Sequence, residues 1–331
     1  MKRALITGIN GQDGSYLSEL LLEKNYDVFG IIKRNSITES QFSRIDHIRE
    51  KLNLMYADVT DLASLTHVVK DVQPDEVYNL AAQSHVRVSF DQPVHTAQAT
   101  GIGALNVLEA VRLYRPQARV YQASSSEMFG NVADSDGFQR ETTAFNPASP
   151  YACAKVFAYH VSRNYRNAYG MFVSNGILFN HESPRRGTNF VTNKICKEAV
   201  KIKLGLADQI QLGNLSSKRD WGHAKDYVRA MWMILQQAAA DDFVCATGIA
   251  HSVQDVVEYV FGSLELDWKS FVRFDERLLR PEEVAGLRGD STKLRKATEW
   301  SPKYTFETML EEMVAFWINE LANEVKTQAT N

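Results

Sequence analysis

The sequence predicts an α/β protein built on a doubly wound parallel sheet, with a smaller C-terminal α/β region. Over residues 1–180, short strand-like runs alternate with helical patterns, which is typical of βαβ units. A cluster of glycines directly follows the first of these runs. After residue 180 the alternation stops, so we expect two regions, 1–180 and 181–331.

Six strands are predicted in the first region, at 3–7, 27–32, 52–57, 76–81, 120–124 and 173–179. Between them, leucine and valine recur at helical spacing, as at Leu62, Leu65, Val68 and Val69. Right-handed crossovers would pack these helices on the two faces of the sheet. Ligands of such a sheet bind outside the carboxyl ends of its strands, so functional residues are expected there.

The second region has a different pattern. We predict helices over 225–237 and 253–264, a strand over 243–247, and a C-terminal helix from about residue 306. The stretch 181–229 holds ten Lys and Arg against five Asp and Glu, which indicates a separate functional role. No linker rich in proline or glycine separates the regions. We therefore expect one compact body, to which the second region can return strands or helices.

Composition excludes several classes of function. The 331 residues carry a formal net charge of −3, with a sequence pI of about 6.3. This charge balance gives no net electrostatic field that would hold nucleic acid or an anionic membrane. No apolar run approaches the ~20 residues that span a bilayer, and no signal-peptide core is present. The three cysteines form no CxxC pair and the eight histidines lack metal-ligand spacing. We therefore expect a cytoplasmic protein without a metal site.

A glycine-rich loop joins the first strand to the first helix, with its glycines in a GxxGxxG spacing. Glycine is needed where a tight turn brings the backbone close to a pyrophosphate, whose charge the helix N-terminus then meets. An ordinary βα turn explains one or two of the glycines. Their placement between strand and helix favours a Rossmann dinucleotide site. The residues expected to hold the cofactor here are Gly8, Asn10, Gly11, Gln12, Asp13 and Gly14.

The end of the second strand indicates which nicotinamide cofactor binds. An acidic residue there would bond the ribose 2′-hydroxyl and repel a 2′-phosphate, but the strand runs into Lys33-Arg34-Asn35-Ser36. Arg34 offers a fork of donors and Ser36 a hydroxyl, which predicts NADP; a solvated basic turn is the alternative. Later strand ends should add further cofactor contacts, at Asp58, Val59, Leu80, Ala81, Ala82, Gln83 and Ser84.

Tyr151 and Lys155 form a YxxxK pair after Pro150. Their spacing puts both side chains on one face of a helix. A free tyrosine has a pKa of about 10, so it needs adjacent positive charge, from Lys155 and an oxidised nicotinamide ring, to serve as a base near neutrality. Alone, the pattern is often only a solvated helix face. With the glycine loop upstream and a strand ending at Ser124 between them, it predicts a catalytic pair.

Through these glycines, Tyr151 and Lys155, the sequence resembles the extended short-chain dehydrogenase/reductase superfamily. Four longer segments carry a more specific resemblance, namely QASSSE (122–127), FNHESPRRG (179–187), KRDWG (218–222) and RPEEV (280–284). They resemble the GDP-mannose 4,6-dehydratase family, and the resemblance covers essentially the whole chain.

The resemblance implies a reaction in three stages. Hydride leaves sugar C4 for NADP while Tyr151 takes the hydroxyl proton. Glu127 then removes the acidified C5 proton and returns it to the departing C6 hydroxyl, and Ser125 polarises the keto oxygen or assists the leaving group. Hydride finally returns to C6 while a proton returns to C5. The implied catalytic set is Ser125, Glu127, Tyr151 and Lys155.

The resemblance also assigns binding residues. His181 and Arg186 should approach the cofactor. The GDP-sugar should be held mainly by the second region, by Ser125, Glu127, Asn180, Val191, Lys194, Leu212, Gly213, Asn214, Arg219, Arg280 and Glu283. The long polar segment 35–46 is expected to bind NADP and to join subunits in a homodimer or homotetramer.

One residue departs from the family pattern, because Ser125 stands where the family has threonine. The missing methyl could leave room at C6, so a GDP-D-glycero-D-manno-heptose 4,6-dehydratase is an alternative. Another nucleotide-sugar epimerase or reductase of the superfamily is a third hypothesis, although such reactions need no base like Glu127. A catalytically silent NADP sensor is a fourth.

Overall fold

The computed structural model describes the backbone of residues 1–34 and 43–329 and the side chains as far as residue 323. Ser36 and most of segment 35–46 lie outside these residues. A seven-stranded sheet forms the centre of the molecule, in the order β10-β6-β5-β4-β1-β2-β3, and all its neighbouring pairs are parallel. Its strands are β1 (Arg3–Thr7), β2 (Asp27–Ile32), β3 (Asn53–Tyr56), β4 (Glu76–Asn79), β5 (Arg119–Ser125), β6 (Val173–Leu178) and β10 (Asp242–Cys245).

The predicted fold class is confirmed. All six strands predicted in the first region are present, and two of them have the predicted bounds, Arg3–Thr7 and Asp27–Ile32. The strand predicted over 243–247 is β10, which pairs with β6 and extends the same sheet. The second region therefore returns a strand to the first, while the division of the chain at residue 180 stays a prediction.

Helices cover both faces of the sheet and carry its apolar core. The helix Leu62–Val72, for example, begins at Asp61, whose carboxylate accepts a hydrogen bond from the Ala63 N–H at 3.1 Å, and its leucine and valine stripe is buried. The helices are α1 (Gln12–Glu23), α2 (Leu62–Val72), α3 (Val86–Asp91), α4 (Pro93–Thr96), α5 (Gly103–Tyr114), α6 (Pro150–Tyr169), α7 (Val191–Lys203), α8 (Ala224–Leu235), α9 (Val253–Ser263), α10 (Trp268–Phe271), α11 (Thr292–Thr298) and α12 (Phe306–Ala329). A π-helical turn, Ala97–Ile102, joins α4 to α5.

Short strands in the second region build a smaller layer. Strand β9 (Lys218–His223) pairs with β7 (Asn180–Glu182), β11 (Ala250–Ser252) and β13 (Gly286–Leu287). A separate pair joins β8 (Ile210–Leu212) to β12 (Val272–Phe274). None of these strands was predicted, because five of them are only two or three residues long and the sixth, β9, has the largely polar sequence KRDWGH. A second core lies between α7, α9 and α12.

This architecture places the carboxyl ends of β1, β4 and β5 beside β7 and β9 of the smaller layer. The loops after these strands therefore converge on one crevice between the two layers, as doubly wound sheets predict. In the part of the chain described, no helix combines the length and the apolar character needed to cross a membrane.

Candidate active site

The crevice is a cavity of about 680 Å³, within the size range of small-molecule sites. It brings together most residues that sequence analysis singled out. Those lining it are Gly8, Asn10, Gly11, Gln12, Asp13, Gly14, Leu80, Ala81, Ala82, Ser84, Ser125, Glu127, Tyr151, Lys155, Asn180, His181, Arg186, Val191, Lys194, Leu212, Gly213, Asn214, Arg219, Arg280 and Glu283.

The glycine loop at one end of the cavity is shaped for an anion. Gly8 has a φ of +70°, which side-chain-bearing residues rarely adopt, and the Gly11 N–H donates to the Gly8 carbonyl at 3.0 Å. A Cβ on Gly14 would lie 2.3 Å from that carbonyl oxygen, so helix and loop approach as closely as backbones can. Gly11 caps α1 without a side-chain hydrogen bond, which leaves the first N–H groups of the helix facing the cavity. These features fit a pyrophosphate.

Two side chains of the loop bind it to β7. The carboxylate of Asp13 lies 2.8 Å from His181 Nε2, while His181 Nδ1 lies 2.8 Å from the Phe179 carbonyl. Both acceptors favour the doubly protonated ring. Burial alone would lower the pKa of His181, but the charge of Asp13 raises it above its usual value. Gln12 adds a hydrogen bond from its amide to the His181 carbonyl at 3.1 Å. The glycine loop and the smaller layer are thereby held together.

Four residues predicted to bind the cofactor have side chains outside the cavity wall. Asp58 pairs with Lys33 at 2.9 Å, and Arg34 is exposed just after β2. Val59 is buried in the core, and the Gln83 amide donates to the His85 carbonyl at 3.2 Å. Contacts of these residues with the cofactor stay predictions, as do those of Ser36, which lies outside the described residues.

The YxxxK pair lies on the buried face of α6, which starts at Pro150 behind the Ser149 cap. Lys155 Nζ donates to the Ala123 carbonyl at 2.7 Å and lies 5.8 Å from the centre of the Tyr151 ring. Burial raises the pKa of Tyr151 to about 12 and lowers that of Lys155 to about 8. The phenol is therefore protonated in the free protein, and its use as a base requires a further positive charge close to it.

Glu127 is largely buried and lies beside two arginine side chains. It follows β5 on a single 3-10 turn, Ser126–Phe129, and its backbone N–H donates to the Ser125 hydroxyl at 3.3 Å. Its carboxylate oxygens lie 3.3 and 3.4 Å from Arg280 Nη1, and Arg219 Nε is 3.8 Å away. The Glu127 side chain is only 9% exposed. One carboxylate and two guanidinium groups thus face the same cavity as Tyr151.

The far end of the cavity is held by the 280–285 segment and β8. The Arg280 N–H donates to Glu283 Oε1 at 2.9 Å, and Arg219 Nη1 donates to the Val284 carbonyl at 2.9 Å. Asn131, four residues after Glu127, donates to the Glu283 carbonyl at 3.0 Å and accepts from the Ala285 N–H at 2.8 Å. The amide of Asn131 therefore fixes this segment relative to Glu127.

The cavity also contains residues that the sequence did not single out individually, among them Arg44, His85 and Arg185. Arg44 Nε donates to the Arg185 carbonyl at 2.7 Å, and burial lowers the pKa of Arg44. His85 Nε2 lies 3.2 Å from the Asn189 carbonyl and joins the two sides of the cavity. Arg44 lies in the segment 35–46 that was expected to bind NADP, and Arg185 lies inside the FNHESPRRG segment already noted, whereas no local motif marks His85. Among the residues described, no group of His, Cys, Asp or Glu is arranged to hold a metal ion.

Comparison with known proteins gives a consistent result. Residues 5–313 match the family model described as GDP-mannose 4,6 dehydratase. GDP-mannose 4,6 dehydratase 2 of Arabidopsis thaliana is 50% identical over 325 residues, covering 95% of this chain and 86% of that protein. The human GDP-mannose 4,6 dehydratase is 46% identical, covering 94% of this chain and 90% of its own.

A solved structure supports the fold. The structure of RMD from Pseudomonas aeruginosa complexed with NADPH is similar, with a TM-score of 0.78 and 22% sequence identity, covering 96% of this chain and all of that one. Sequence matches of this extent decide membership, since the family model spans most of the chain and both relatives are matched over most of their length. The chain belongs to the GDP-mannose 4,6-dehydratase family.

Proposed function

We propose that this protein is an NADP-dependent GDP-mannose 4,6-dehydratase, which converts GDP-D-mannose to GDP-4-dehydro-6-deoxy-D-mannose with loss of water. One observation supports this most directly. Ser125, Glu127, Tyr151 and Lys155 line a single cavity together with the glycine loop. A phenol for the C4 hydroxyl and a carboxylate for C5 are then available to one bound sugar.

In this reaction Tyr151 takes the proton of the C4 hydroxyl as the 4-ketone forms. The ammonium of Lys155 favours the phenolate electrostatically. Glu127 removes the C5 proton, which the neighbouring ketone has made acidic, and delivers it to the C6 hydroxyl as water leaves. Ser125, which contacts both Tyr151 and Glu127, donates to the keto oxygen. A bound NADP would supply the hydride acceptor for C4 and the hydride donor for C6, while a proton returns to C5, so that the cofactor would not be consumed.

The cofactor site supports a dinucleotide with an extra phosphate. The uncapped N-terminus of α1 and the close backbone of Gly8 and Gly14 fit its pyrophosphate. No carboxylate follows β2, where Arg34 stands instead. In the substrate half of the site, Arg219 and Arg280 suit a diphosphate, and Glu283 suits the donor edge of a guanine base.

The test is incubation of the NADP-loaded protein with GDP-mannose, followed by mass analysis. Loss of one water is expected, with no net reduction of NADP. Glu127→Gln should still oxidise C4 but not eliminate water, so reduced nicotinamide should accumulate to about one equivalent per site. An unchanged mass with the wild-type protein would refute the proposal.

The comparisons do not favour the other hypotheses drawn from the sequence. The Arabidopsis and human relatives both carry a GDP-mannose 4,6-dehydratase name, at matching length. In the same mass assay, GDP-D-glycero-D-manno-heptose serves as the control substrate for the room left by Ser125. An epimerase or reductase would leave the mass unchanged or increase it, and a sensor would turn over neither sugar.

We also propose that the protein is a cytoplasmic homodimer or homotetramer. Exposed apolar side chains support association with a second copy of the chain, since Val94, Ile102 and Phe157 are 70%, 44% and 43% exposed on neighbouring helical segments. Three free cysteines, one of them exposed, suit a reducing compartment. Light scattering tests the assembly, and Phe157→Glu should shift it towards the monomer.

A further inference from the structure

The carboxylate of Glu127, the proposed base, is paired with arginine side chains. Both of its oxygens lie within 3.4 Å of Arg280 Nη1, and among the described residues its carboxylate has no partner besides Arg280 and Arg219. A carboxylate whose oxygens both accept from a guanidinium group is engaged by that group and is not turned towards a C–H bond of a sugar. In this structure the proposed base is therefore paired with Arg280.

The two arginines differ in how firmly they are fixed. Arg219 is almost fully buried, and its Nη1 donates to the carbonyls of Lys218 and Val284 at 2.8 and 2.9 Å. The Arg280 side chain is 26% exposed, and within the described part of the chain its guanidinium donates to Glu127 alone. Arg280 can therefore turn away from Glu127, whereas Arg219 is held by its backbone partners.

We propose that Arg280 acts as a latch on Glu127: the diphosphate of the bound nucleotide draws Arg280 away and so frees the carboxylate for the C5 proton. This inference rests on the proposed function, because it assigns the diphosphate to these arginines. A diphosphate carries more charge and more acceptor oxygens than one carboxylate, so it competes well for a guanidinium fork. Glu127 is kept in place meanwhile by its backbone hydrogen bond to Ser125.

The latch makes a prediction about binding that needs no turnover. In the wild-type protein, a nucleotide diphosphate has to break the Arg280–Glu127 pair before it can use Arg280. Removing the charge of Glu127 abolishes that competition, so the nucleotide should bind more tightly. Hydrogen bonds between charged groups, discounted for the partial exposure of Arg280, give an expected gain of about tenfold in affinity.

The experiment is calorimetric titration of GDP into the NADP-loaded protein, with wild type, Glu127→Gln, Arg280→Ala and the double variant. Glu127→Gln should bind GDP about tenfold more tightly than wild type. In the Arg280→Ala background, the same change should have at most about a twofold effect, because no latch remains to be broken. Glu127→Ala should tighten binding as Glu127→Gln does, so the test survives if either variant folds poorly.

Glu109→Gln is the matched control. Glu109 also pairs with an arginine, Arg112 at 2.8 Å, but the pair lies on α5 and outside the cavity. Removing the charge of Glu109 should leave the affinity for GDP unchanged. Unchanged or weaker binding by Glu127→Gln would overturn the latch. Equal tightening in both arginine backgrounds would overturn it too, since it would indicate simple repulsion between Glu127 and the diphosphate. Neither result depends on whether wild-type protein dehydrates GDP-mannose, which is measured separately.

Discussion

Replacing Gly14 with alanine tests whether the glycine loop shapes the cofactor site. A Cβ there would lie 2.3 Å from the Gly8 carbonyl oxygen and 2.6 Å from Ile9 Cα. Both are backbone atoms, which cannot rotate out of the way as a flexible side chain can. Ordinary contact begins at 3.4 Å, so the loop would have to move from α1 by roughly 1 Å.

The movement should cost both stability and cofactor affinity. Overpacking of this kind lowers the free energy of unfolding by about 1–3 kcal/mol. The same shift distorts the Gly8 carbonyl, which accepts the Gly11 N–H at 3.0 Å, and re-aims the N–H groups expected to face the pyrophosphate. Loss of one such hydrogen bond, about 1.4 kcal/mol, corresponds to a tenfold weaker NADP affinity.

NADP titration followed by calorimetry, together with thermal unfolding, measures both effects. Gly262→Ala is the control, since Gly262 lies in α9 and nothing lies within 4 Å of the point that a Cβ would occupy. This variant should raise the free energy of unfolding by about 0.5–1 kcal/mol. If Gly14→Ala bound NADP with wild-type affinity and unfolded at the wild-type temperature, the argument from close backbone approach would be refuted.

Three further predictions concern other parts of the molecule. The kcat/KM for GDP-mannose should fall as the pH rises through about 8, because Lys155 then loses the charge that favours the Tyr151 phenolate; a rate still rising at pH 9 would contradict this role. Asn131→Ala removes two hydrogen bonds to the 283–285 backbone, so KM should rise about three- to tenfold with unchanged kcat, and a fall in kcat alone would contradict the positioning role. His223 holds the pKa of Glu312 at about 2, below its usual 4.5, so this pair stabilises the protein above pH 4.5 and loses that effect as the pH falls towards 2. Urea unfolding at pH 7 and pH 3 should therefore show a smaller difference for Glu312→Gln than for wild type, and equal differences would contradict the pairing.

The sequence contained enough local information for the sheet and the cofactor loop. Strands β1 and β2 are apolar runs bounded by polar residues, and Gly8, Gly11 and Gly14 follow the first of them at once. Tyr151 and Lys155 are four residues apart on one helix, so their proximity is a matter of spacing alone. These features depend on neighbours in the chain, which a single sequence displays directly.

Contacts between distant parts of the chain could not be predicted from the sequence. The clamp of Asn131 on the 283–285 segment joins residues more than 150 positions apart, and no spacing rule connects them. Arg44 reaches the cavity through the Arg185 carbonyl, 141 positions away. The position of Glu127 after β5 was predicted, but its enclosure by Arg219 and Arg280 follows only from the packing of the smaller layer on the sheet.

In the proposed reaction, one cavity supports both the transfer of a hydride from C4 to C6 of the sugar and acid–base chemistry at C5. Incubating GDP-mannose deuterated at C4 with the NADP-loaded protein, and locating the label in the product by NMR, tests it most directly. The deuterium should be found at C6 of the 4-dehydro-6-deoxy sugar. Deuterium remaining at C4, or lost to water, would contradict it.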